Sequence, residues 1–127
     1  MLHNLLKRYL HALETTVQAL EEVHVERYEE EVLSFSRTNV RIRVRFRSGH
    51  LLELNEAVIV KVNQIVHLGY RYHFQDEQHH LVFRYDDTPH FSDLPTFPHH
   101  KHLAETVLAT SKPNILDVIK EANELAR

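Results

Sequence analysis

Val40, Ile42, Val44 and Phe46 alternate with Arg41, Arg43, Arg45 and Arg47 over eight consecutive residues. Successive side chains on a strand point to opposite faces, so a strand here has one apolar face and one face of four guanidinium groups. The pattern calls for a sheet with one face on a core and the other open, which is the habit of antiparallel sheets.

The neighbouring segments supply the rest of such a sheet. Ser48-Gly49-His50 reads as a turn, with Leu52, Leu54 and Ala57-Val58-Ile59-Val60 as the return strand and a bend near Asn55-Glu56. In residues 65–75, Val66, Leu68, Tyr70, Tyr72 and Phe74 are expected on the core face, with His67, Gly69, Arg71 and His73 opposite. Asp76-Glu77-Gln78-His79 is a second turn, after which Leu81, Phe83 and Tyr85 face the core and His80, Arg84 and Asp86 face away. Val32-Leu33-Ser34-Phe35 suggests one more strand, over the second half of residues 22–36.

Both ends read as helices. Leu2, Leu5, Leu6, Tyr9, Leu13, Val17 and Leu20 follow helical spacing from about residue 2 to about residue 21. Ile115, Val118, Ile119, Ala122 and Leu125 form a second apolar stripe, with Pro113 suited to its first turn. Residues 103–110 favour no element. The expected fold is α+β: a mostly antiparallel sheet of about five strands, with the N- and C-terminal helices packed on one face. At 127 residues the chain is expected to form one domain with a core of its own.

Composition narrows the chemistry. There is no cysteine, which excludes disulfide scaffolds, thiolate zinc sites and thiol nucleophiles. No apolar run is long enough to span a membrane, and Lys7, Arg8 and His11 interrupt the N-terminal apolar residues, so a cytoplasmic protein is expected. The net charge of −3 hides a segregation. Glu14 to Glu31 holds seven glutamates and one arginine, whereas Arg37 to Arg47 holds five arginines and no acid. The arginine stripe has two readings: a solvated face paired with those glutamates, or a phosphate-binding surface, because guanidinium forks match phosphate oxygens.

The least ordinary segment runs from Asp86 to His102 and contains three of the four prolines. Proline fixes φ and removes a backbone donor, so a stiff loop is expected. Six of the twelve histidines lie between His79 and His102. Imidazole exchanges protons near neutral pH and ligates metals. His90, His99, His100 and His102 therefore suit phosphodiester cleavage without a metal: one imidazole takes the 2′-OH proton, another protonates the leaving 5′-oxygen, and Lys101 and Arg84 stabilise the phosphate charge. Arg41, Arg43, Arg45, Arg47, Arg71 and His73 would bind the nucleic acid. The rival reading makes His90, Asp93, His99, His100 and His102 a metal centre of a phosphoesterase or nucleotidyl transferase. Against it, the spacing matches no established zinc pattern, and Lys101 within the cluster would repel a dication. No metal or other cofactor is therefore expected. A loop whose histidines only cap its own turns is the bland alternative, and His3, His11, His24 and His50 are assigned no role.

The run Tyr70-Arg71-Tyr72-His73-Phe74-Gln75-Asp76, the strand Leu81-Val82-Phe83-Arg84-Tyr85-Asp86, then Pro89-His90 and Leu94-Pro95-Thr96-Phe97-Pro98-His99-His100-Lys101-His102 resemble the TumE-like toxin family. These are small bacterial and archaeal proteins usually encoded beside an antitoxin gene. The resemblance covers roughly residues 66–102 and implies the toxin half of a toxin–antitoxin pair, with a cognate antitoxin as partner. It supplies no mechanism. Residue chemistry adds RNA as the target of an endoribonuclease, with a non-catalytic nucleic-acid-binding module as its rival. The expectation involves no membrane and leaves room for a homodimer.

Overall fold

The computed structural model describes residues 1–127. Helix α1 (Asn4–Gln18) precedes strands β1 (Val23–Ser34), β2 (Arg37–Phe46), β3 (Leu51–Lys61), β4 (Gln64–Gln75), β5 (Leu81–Asp86), β6 (His100–His102) and β7 (Val107–Ala109); helix α2 (Ile115–Leu125) closes the chain. The strands form one antiparallel sheet in sequential order. The architecture is the expected α+β, with seven strands instead of five. The two additional strands have three residues each: β6 takes the last three residues of the segment expected to be a loop throughout, and β7 follows it. Runs so short carry no readable periodicity.

Helix α1 buries Leu6, Leu10, Leu13 and Val17. Helix α2 buries Ile115, Val118, Ile119 and Ala122. Both stripes join one core cluster with Val40, Ile42, Val44, Leu52, Leu54, Tyr72, Phe74 and Phe83, so the helices lie on the apolar face of the sheet. Asn114 caps α2, its side chain accepting from the Leu116 amide at 2.8 Å, and Pro113 stands just before the cap instead of in the first turn. Strand β1 fills nearly all of residues 22–36, beyond the half that the apolar pattern marks. Pairing with β2 along its length extends it through the acidic run.

Three further expectations, the facing of Val66, His67 and Leu68, are corrected by one irregularity. Ala57 pairs with Gly69 and Val58 with His67, which leaves Leu68 as a bulge. The extra residue reverses the facing of β4 ahead of it. Leu68 is therefore 44% exposed, while His67 turns to the core side. There its Nε2 lies 3.1 Å from Glu56 Oε1. Strand β3 runs through Asn55-Glu56 without the expected bend, so Glu56 points into the core beside Leu54 and Val58. Its carboxylate accepts hydrogen bonds from the hydroxyls of Tyr9 and Tyr72, which tie α1 to the sheet. A buried carboxylate is tolerable because these donors satisfy it.

Candidate active site

On the face away from the helices, the register aligns two cross-strand rows. The first runs Arg41, Asn55, Arg71, Asp86, His100 from β2 to β6. The second runs Arg43, Glu53, His73, Arg84, His102 over the same strands. Neighbouring strands lie about 4.8 Å apart, so each row is about 19 Å long. Each begins at an arginine of the stripe and ends at a histidine beyond the loop.

The two rows differ in how far their charges are already met. Arg43 bonds Glu26 at 2.7 Å and reaches Glu53 at 3.3 Å; Arg45 bonds Glu26 at 3.1 Å; Arg47 bonds Glu22 at 3.0 Å. The bonds from Arg43 and Arg45 hold the Glu26 carboxyl below its usual range. The solvated-face reading therefore describes three of the four arginines. Arg41 and Arg71 form no ion pair. They flank an open groove of about 420 Å³, lined also by Asn39, Asn55 and Gly69. A larger cleft, about 550 Å³, lies beside Glu22, Arg47 and Asn123 and contains no imidazole.

At the β5–β6 end the rows converge on Asp86, His100 and His102. His100 Nε2 lies 2.8 Å from Asp86 Oδ1, and His102 Nε2 lies 3.6 Å from Asp86 Oδ2. The two imidazoles meet edge to face with centroids 4.7 Å apart. Asp86 and His100 are buried, whereas His102 is partly open. Phe91, held at a φ of 54°, lays its ring against both imidazoles. His90 touches the Phe91 ring and is exposed. Burial lowers the His102 pKa, with His100, Arg84 and His90 adding to the effect against the opposing pull of Asp86. Burial likewise lowers His73. His73 Nδ1 accepts from Arg84 Nε at 3.3 Å, which orients that guanidinium beside the cluster.

The loop residues expected to act together are thus separated. His100 and His102 share a face because they are two residues apart on β6. Lys101, between them, points to the helix side. It bonds Glu121 of α2 at 2.8 Å and sits 4.7 Å from the centre of the Tyr85 ring. Burial would lower its pKa, but the bonds to Glu121 and Tyr85 outweigh that and raise it. Strand periodicity removes Lys101 from the cluster that its sequence position suggested. His99 also turns away: its Nδ1 lies 2.9 Å from the Tyr70 hydroxyl, and the two rings stack. Asp86 is the central residue that the sequence reading left without a role. Its parity with Arg84 on β5 was the available signal.

The fold and this surface define a class: a small α+β protein with a half-paired arginine face that ends in a His–Asp–His cluster. The chain belongs to the toxin TumE family, whose model matches residues 12–125. It is the toxin of a toxin–antitoxin system, and a cognate antitoxin is its implied partner. No curated protein and no solved structure matches it. No helix is long and apolar enough to cross a membrane.

Proposed function

We propose that this toxin is an endoribonuclease that holds RNA by its phosphates and cuts at the Asp86–His100–His102 cluster. The observation that carries the reading is the first cross-strand row. It leads from the free guanidinium of Arg41, past that of Arg71, to Asp86 and His100 on a single face. Unpaired arginines beside a groove suit a polyanion, and an imidazole–carboxylate cluster at the end of the same track suits proton transfer at a phosphodiester.

Arg84, fixed by His73, would stabilise charge on the phosphate in this reading. The cluster serves the attacking 2′-oxygen, and exposed His90 serves the leaving 5′-oxygen. His100 is too deeply buried to touch substrate and His99 is engaged elsewhere, so these two leave the set of acid–base groups; Lys101, held by Glu121, leaves charge stabilisation to Arg84. In the metal-free form expected from the sequence, His102 is the base.

Incubation of the purified protein with total cellular RNA tests the reading. Cleavage is expected, with 2′,3′-cyclic phosphate ends when the substrate's own 2′-OH attacks. Arg84→Ala is expected to slow cleavage on the order of a hundredfold while RNA binding persists. RNA that is bound and left intact by the unsubstituted protein would instead favour the binding module.

A further inference from the structure

The Asp86–His100–His102 cluster has a flaw as a purely protein arrangement. His100 Nδ1 lies 2.9 Å from the Pro98 carbonyl, an oxygen that can only accept, so Nδ1 carries the proton. The other ring nitrogen, Nε2, then presents a lone pair in the neutral imidazole. It is buried and makes no hydrogen bond. Its close approach to Asp86 Oδ1, at 2.8 Å, lies outside hydrogen-bond geometry. Side-chain exposure is 1% for His100 and 6% for Asp86, so water does not relieve the contact. A lone pair facing a carboxylate oxygen is repulsive unless something positive is shared between them.

We infer that Asp86, His100 and His102 bind a divalent transition-metal ion, of which zinc is the probe of choice. Their ligand atoms all lie within 4.8 Å of one another. Donors on a tetrahedral zinc with bonds of about 2.0 Å stand about 3.3 Å apart; the Asp86 carboxylate meets His100 through Oδ1 at 2.8 Å and His102 through Oδ2 at 3.6 Å, both near that spacing. The bond from His100 Nδ1 to a backbone carbonyl is the outer-shell contact that ligating histidines commonly make, because it fixes the ring and leaves Nε2 for the ion. His102 follows at the next position on the same face of β6. Lys101, the sequence-level objection to a metal, projects through the sheet to Glu121. Two histidines and one carboxylate leave open coordination positions, as catalytic zinc sites do. Of the three ligands only His102 reaches solvent, with 21% of its side chain exposed, and His90 on the neighbouring loop is exposed. The binding itself stands on geometry alone. Its catalytic use rests on the endoribonuclease reading, within which His102 becomes a ligand and proton transfer falls to His90.

The test is calorimetric titration of chelator-stripped, full-length protein with zinc alone. One zinc per chain is expected. His102→Ala should weaken affinity on the order of a hundredfold or more, whereas His79→Ala/His80→Ala, which removes two exposed histidines of the β4–β5 turn, should leave it unchanged. Equal affinity in the parent and His102→Ala, or loss only in the turn variant, overturns the inference. Should His102→Ala fail to fold, nitrogen NMR of the unsubstituted chain decides. Zinc must shift Nε2 of both His100 and His102 and leave the His100 Nδ1 proton in place; absence of these shifts rejects the site. RNA cleavage separates this inference from the reading it serves. Zinc bound without cleavage removes the endoribonuclease and keeps the site. Cleavage that persists in EDTA, in a protein that binds no zinc, does the reverse.

Discussion

Glu56 and the histidines show how single residues constrain this molecule. Glu56 is buried because β3 alternation places it on the core face, and it survives there because Tyr9, Tyr72 and His67 converge on it. Glu56→Ala would leave two hydroxyls and an imidazole without their acceptor, at a cost of about 2–4 kcal/mol in urea denaturation. A loss below about 1 kcal/mol would mean that the network is dispensable. His73 and His102 predict a pH effect. Both have folded pKa values below the usual 6.5, with burial as the leading cause. Above that pH both states are neutral at these positions, so the two groups change nothing. As pH falls below it, the unfolded chain takes up protons that the folded chain refuses, and stability drops until the lowered folded values are passed. In the metal-free protein, denaturation midpoints measured down to about pH 5 should fall more steeply for the parent than for His73→Gln/His102→Gln. Identical slopes would show that these two imidazoles do not carry the effect.

At the level of the strand, β2 alone does not decide where a polyanion binds. Its arginines are equivalent in sequence, yet Glu26 of β1 pairs with Arg43 and Arg45, Glu22 just before β1 pairs with Arg47, and Arg41 is left open beside Arg71 of β4. Arg41→Ser/Arg71→Ser should therefore weaken RNA binding across all sequences and reduce the salt-dependence slope by about two. Arg43→Ser/Arg45→Ser should reduce it by less, since those charges are already matched. The reverse ranking in filter-binding titrations would place RNA on the β1 side of the sheet.

For the molecule as a whole, the antitoxin is the open partner. The free arginines, the groove and the cluster share one face, and an acidic segment lying across it would both match its charge and cover the proposed site. Hydrogen exchange of the complex should protect β4, β5 and β6 around Arg71 and Asp86. Val32, Leu33 and Phe35, exposed near the β1–β2 turn, form the competing surface. Protection confined to that turn, with Arg71 still reactive toward an arginine reagent, would reject the arginine face as the antitoxin site.

The sequence by itself determined the two helices, the antiparallel order, the core strands and the family. All of these depend on periodicity or on a contiguous motif, and both are local properties of the chain. The sequence also marked the histidine loop as a candidate site. Only the tertiary structure decided which loop residues share a face. A β6 strand of three residues forms because β5 and β7 flank it, and that pairing sends His100 and His102 to one face and Lys101 to the other. The Leu68 bulge reversed His67 in the same way, since one unpaired residue changes parity without leaving a pattern. Charge followed the same rule: which arginines stay free depends on glutamates that sit across a strand pair, at separations that no local window spans.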